Sequence, residues 1–141
     1  MRSSLPRPPR DQPTAVEPSV RVDRSIYRLT VTLPIGDQIA RLPALVARAL
    51  ANGEYEPGME IFVDCRGCGA PNPQTIRALA GALEESRDVM GPIAILTDSD
   101  ASFSMGRMLE ILTGMAGSRS VRVFKQAPHL ESWLRQAVLN G

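Results

Sequence analysis

Met59-Glu60-Ile61-Phe62-Val63 and Ile93-Ala94-Ile95-Leu96 decide the fold. Both are almost continuously apolar, both have strand length, and a helical pattern follows each. Such runs read as central strands of a parallel sheet, buried on both faces. Between them Asn72 caps and Pro73 opens a helix with Ile76, Leu79, Ala80, Leu83 and Met90 inward. Beyond Leu96, one of Asp98, Ser99 and Asp100 caps a third helix. Its expected inner face is Phe103, Met108, Leu109, Ile111, Leu112 and Met115, and Gly117 ends it. Val121-Arg122-Val123-Phe124 alternates as an outer strand does. Pro128 opens a last helix with Leu130, Trp133, Leu134, Ala137 and Val138 on one side.

Upstream, residues 20–22 and 26–33 read as two strands joined by a turn at Asp23-Arg24-Ser25. In the second, Tyr27, Leu29, Val31 and Leu33 alternate with Arg28, Thr30 and Thr32, which puts the apolar set inward and the polar set outward. Ile39, Leu42, Leu45, Val46, Ala49 and Leu50 then share a helix face. Pro43 suits the first turn of a helix starting near Leu42, or kinks a longer one starting near Asp37, and Asn52-Gly53 stops it. The order is ββαβαβαβα. The expected fold class is α/β, a mixed and mostly parallel sheet with helices on both faces.

The chain has 141 residues, one domain's worth, with a net charge of +1, 43% apolar and 22% charged residues. Near-neutrality argues against a nucleic-acid binder, which needs a basic face to displace counterions. No apolar run approaches the ~20 residues that span a bilayer, and no apolar core of a signal peptide is expected at the start. Residues 1–19 hold five of the twelve prolines and little that is apolar. They are read as a disordered Pro/Arg-rich tail before a single domain at 20–141. Two cysteines and one histidine cannot make a four-cysteine or two-cysteine, two-histidine zinc site, and neither metal nor cofactor is expected.

Several strings, in this order, resemble the SpoIIAA-like superfamily, related to the STAS domain (sulfate transporter and anti-sigma antagonist). They are Glu56-Pro57-Gly58-Met59 leading into Ile61-Phe62-Val63-Asp64-Cys65-Arg66, Gly91-Pro92-Ile93-Ala94-Ile95-Leu96 followed by Phe103-Ser104-Met105-Gly106-Arg107-Met108, and Val121-Arg122-Val123-Phe124 with Trp133-Leu134. The resemblance implies a small cytoplasmic, non-catalytic domain that binds a protein partner or a small ligand. One feature departs from the family. Where anti-sigma antagonists carry Asp-Ser-Ser-Gly, this chain has Asn72-Pro73-Gln74-Thr75, so Gln74 replaces the phosphorylated serine and only Thr75 offers a hydroxyl nearby.

In open α/β sheets ligands bind beyond the carboxyl ends of the strands. The expected ligand or partner rim is therefore Asp64, Arg66, Thr97, Asp98, Ser99 and Asp100, with Arg107 from the matching string. Cys65-Arg66-Gly67-Cys68 is a CxxC. As a redox pair it would want a thiol at a helix N-terminus, yet Pro71 and Pro73 hold the helix start downstream. Asp64, Thr97 and Lys125 end three successive strands, like the phosphoacceptor, hydroxyl and lysine of response-regulator receivers. That chemistry also needs an acidic pair for Mg²⁺ at the end of the first long strand, which here reads Thr32-Leu33-Pro34. No catalytic set is complete. The expected function is an interaction or regulatory module. The alternatives are an apolar or lipid-like ligand held by the Met-rich helix, or a thiol-redox protein using Cys65 and Cys68. A homodimer through an exposed helix face is also compatible.

Overall fold

The computed structural model describes residues 17–115 and 120–140. The expected disorder of the tail up to residue 16, the helix stop at Gly117 and the inward place of Val138 lie outside what is described. The elements are β1 (Ser19–Asp23), β2 (Arg28–Thr32), a 3-10 segment (Gly36–Arg41), α1 (Leu42–Ala51), β3 (Glu60–Asp64), α2 (Pro73–Glu85), β4 (Ile93–Leu96), α3 (Asp100–Met115), β5 (Val121–Phe124) and α4 (Ala127–Asn140). Pro43 sits in the first turn of α1, with the 3-10 segment taking up residues from Gly36. Asn72 caps α2, its side chain accepting from the Thr75 N–H at 3.0 Å.

The five strands lie in chain order, β1-β2-β3-β4-β5. β1 is antiparallel to β2, and every later pair is parallel. Because each crossover moves to the next strand in the same direction and is right-handed, α1, α2 and α3 fall on one face. There Leu29, Val31, Ile61, Val63, Ile93, Ile95, Val121 and Val123 meet Leu45, Val46, Ile76, Leu79 and Leu109. Among the described elements, α4 alone reaches the other face, where its Leu130 and Leu134 cover Ala94 and Leu96 beside Phe62, Phe124 and Trp133. Thus β4 is buried on both sides, which explains its unbroken apolar run. Both faces carry helices, but the crossovers supply one face and the C-terminal helix the other.

Three local expectations are corrected. β1 begins at Ser19, inside the segment assigned to the tail, and Glu17 already pairs with Arg41 at 2.9 Å. At the start of β2 the alternation is inverted: Tyr27 is 42% exposed with φ at 56°, and Arg28 is 8% exposed. A four-residue turn at 24–27 closes the hairpin, so Tyr27 belongs to the turn, where its hydroxyl donates to Glu56 Oε1 at 2.9 Å. In α3 the buried residues are Ser102, Gly106, Leu109 and Thr113, while Ile111 and Met115 are 56% and 80% exposed. The cause is a close approach of the helix backbone to the Val123 side chain. A Cβ on Gly106 would come within 2.7 Å of Val123 Cβ, so this helix turns its small residues toward the sheet and its larger ones aside.

The sequence alternation of β2 makes Arg28 an outward polar residue. It instead lies on the α4 face, with its Nε donating to Glu60 Oε1 at 2.5 Å. Its two terminal nitrogens fork onto Glu131 of α4 at 2.8 and 2.7 Å. The guanidinium also stands 5.8 Å from the Phe62 ring centroid. A delocalised cation with a planar fork suits such a place better than a lysine does. Hydrogen bonding to Glu131 holds the arginine firmly charged, and the arginine in turn holds the Glu131 carboxyl below its ordinary range.

Candidate functional site

Asp64 ends β3, Thr97 to Asp100 follow β4 and Lys125 follows β5, while Arg107, also expected at the rim, lies apart from these in the body of α3. The centre of the rim is the loop at 65–72, between β3 and α2. Gly67 and Gly69 give the loop its turns, with φ at 75° and 76°. Three carboxylates grip its backbone from three directions. Asp64 Oδ1 accepts the Arg66 N–H at 3.1 Å, Asp98 Oδ1 accepts the Gly67 N–H at 3.1 Å, and Asp37 Oδ1 accepts the Asn72 N–H at 2.8 Å. A fourth tie runs from the Gly36 N–H to Cys68 O at 2.7 Å. Gly36 must be glycine, since a Cβ there would come within 2.9 Å of Pro71 N.

Arg66 folds back onto Asp64, Nε to Oδ1 at 3.0 Å and a terminal nitrogen to Oδ2 at 2.9 Å. That ion pair lowers the Asp64 carboxyl and raises the Arg66 guanidinium. Thr97 is 2% exposed, and both its N–H and its hydroxyl donate to Phe124 O, at 2.9 and 3.3 Å. Ser99 caps α3, its Oγ accepting from the Ser102 N–H at 3.2 Å. Asp100 pairs with Lys125, which lowers its carboxyl, and the Lys125 ammonium sits 5.2 Å from the Phe103 ring centroid. Each member of the receiver-like trio has another partner: Asp64 is engaged by Arg66, Thr97 by a carbonyl and Lys125 by Asp100. Arg107 lies in the body of α3 and pairs with Glu110.

Cys65 and Cys68 are free thiols, the first buried and the second half-buried. Cys68 Sγ donates to Cys65 O at 2.8 Å. The hydrogen bond shared with Cys68, then burial, pushes the Cys65 thiol far above its ordinary value, so it stays protonated at neutral pH. Thr75 donates its hydroxyl to Asp37 Oδ1 at 3.0 Å. A phosphate on Thr75 would meet that carboxylate, and like charges at contact distance repel.

Sequence reasoning missed the role of Asp37. An acid just after Gly36 in an apolar stretch was a visible oddity. Nothing in the chain showed that it reaches α2, whose Thr75 is 38 residues away. Among the described residues, no group of three or more His, Cys, Asp and Glu could hold a metal, and no helix is long and apolar enough to cross a membrane. The fold is that of an α/β protein with a five-stranded mixed sheet. No protein-family model, curated protein or solved structure matches the chain.

Proposed function

We propose that this chain is a cytoplasmic, non-enzymatic interaction module of STAS-like type that lacks the family's phosphorylatable serine and presents the 65–72 loop to a protein partner. One observation carries the reading: Asp37, Asp64 and Asp98 each accept from a backbone N–H of that single loop. Carboxylates used to hold a loop are not poised as acids, bases or metal ligands. What they produce is a rigid, solvent-facing surface, which lowers the ordering cost of binding. Met105 and Met108 are partly buried and pack against the core.

The test is site-specific photo-crosslinking in cells, with the photoreactive residue at Ala70 and a control at Ile111, both exposed. The expected result is one discrete adduct from position 70, lost on Asp37→Ala, and none from 111. The same adducts from both positions would overturn the reading. So would saturable, metal-independent turnover of a phosphate or carboxylic ester by the purified protein.

A further inference from the structure

The strand at the open margin of the sheet offers a second surface, independent of the rim. The backbone parity of each strand follows from the ladder. The Leu33 N–H donates to Asp64 O at 3.0 Å, so odd-numbered residues of β2 bond toward β3 and even-numbered ones toward β1. Arg28, Thr30 and Thr32 stand opposite Asp23, Arg21 and Ser19. The inward bonds of β1 are therefore made by residues 19, 21 and 23. The N–H and C=O groups of Val20 and Val22 point outward, where no described strand pairs with them. Ser19, Val20, Arg21 and Asp23 are exposed, with Val20 at 38%.

The opposite margin is closed. The outward N–H of Val123 in β5 donates to Glu110 Oε2 of α3 at 2.6 Å, and Gly106 lets α3 lie against that strand. Open edges promote pairing with another chain, and proteins generally blunt them. Here one is blunted and, among the described residues, the other is not.

We infer that β1 is a self-association edge, pairing antiparallel with β1 of a second copy about a two-fold axis at Val22. The charges of the strand select this partner and this register. Residue 22 faces its own copy, and its N–H and C=O groups, both outward, form the central hydrogen-bonded pair. Arg21 then faces Asp23 of the second copy and Asp23 faces its Arg21, both in the closer, non-hydrogen-bonded positions. An axis at Arg21 would instead set two guanidinium groups against each other. The product is a continuous sheet through both copies, an isologous interface of the kind most homodimers use.

Sedimentation of the full chain over a concentration series tests this. A species of twice 15.3 kDa is expected, dissociating on dilution. Val22→Pro removes an outward backbone donor, which edge strands tolerate, and trims a half-buried side chain packed against the core; it is expected to give the monomer with an unchanged far-UV spectrum. Arg21→Glu sets like charges opposite each other twice and is expected to weaken association by about tenfold or more. The double variant Arg21→Glu/Asp23→Lys restores opposite charges and is expected to recover the dimer. That recovery also separates pairing from misfolding, since Asp23 Oδ1 accepts from Ser25 in the turn at 3.0 Å. A monomer at all concentrations, as when the chain's own residues 1–16 cover the edge, overturns the inference. So does a dimer that survives Val22→Pro, or a double variant that keeps the parent far-UV spectrum and does not re-associate.

Discussion

Along β5, an outward N–H is met by the side chain of Glu110 and the strand lies under α3; along β1, two valines turn their peptide groups outward and no described strand meets them. The difference has a topological cause. β5 is reached by a crossover, so a helix is delivered to it, and Gly106 sets how near that helix comes. β1 is joined to its neighbour by a four-residue turn, so no crossover helix is delivered beside it. The contrast extends to the α4 face. Over β4 and β5 that helix is held by Leu130, Leu134 and the Trp133–Phe124 ring contact at 5.9 Å. Toward β2 it is held by the fork from Arg28 to Glu131. An edge hairpin leaves few apolar positions to bury, and charges do the anchoring there.

The largest effect is expected where the open side is anchored. Arg28→Ala leaves Glu60, 5% exposed, without its cation, at a cost of about 3–5 kcal/mol in chemical denaturation. A cost below 1 kcal/mol would show that the fork is not what holds α4 on that side. Next comes the closed margin. Gly106→Ala gains helix propensity but drives a methyl into Val123, and is expected to destabilise by about 1–2 kcal/mol net. Glu110→Ala strips the Val123 N–H of its acceptor, with an expected cost of about 1–2 kcal/mol and new concentration-dependent association at β5. Glu110→Gln keeps an acceptor, so it is expected to stay closer to the parent protein in both respects.

The smallest effect is one of pH. Arg28 depresses the Glu131 carboxyl below its ordinary 4.5, so the unfolded chain takes up the proton first as pH falls. The stability from this group is full above the unfolded value and fades as pH drops through 4.5 and below. The difference in Tm between the parent and Glu131→Gln is expected to be constant from pH 7 to about 6 and to shrink toward pH 3. A difference that grows on acidification would contradict the assignment.

Much of this architecture was legible because it rests on side-chain hydrophobicity and local stereochemistry. The apolar runs at 59–63 and 93–96 became strands, Asn72 and Pro73 opened α2, and Pro43 took a first-turn place. What escaped rests on backbones and distance. The phase of α3 is set by how near Gly106 lets it come to β5, and a hydrophobicity pattern has no term for that. Arg28 looked like a solvent-facing residue because one of its partners, Glu131, lies 103 positions on. The rim was legible as a place, since it follows from strand ends. That Asp64 and Asp98 accept from backbone N–H groups of the loop was not, because a sequence shows which groups are present and not which are already engaged.

The sheet's unpermuted order carries one more consequence. Every strand from β2 onward docks beside the strand made just before it, so each turn of chain adds a stair to a single spiral. Such a staircase can be climbed as the polypeptide leaves the ribosome, each stair resting on a finished one, with no long loop left waiting to close. The same geometry lets a protein of this build be lengthened by one strand-and-helix stair without rethreading the rest.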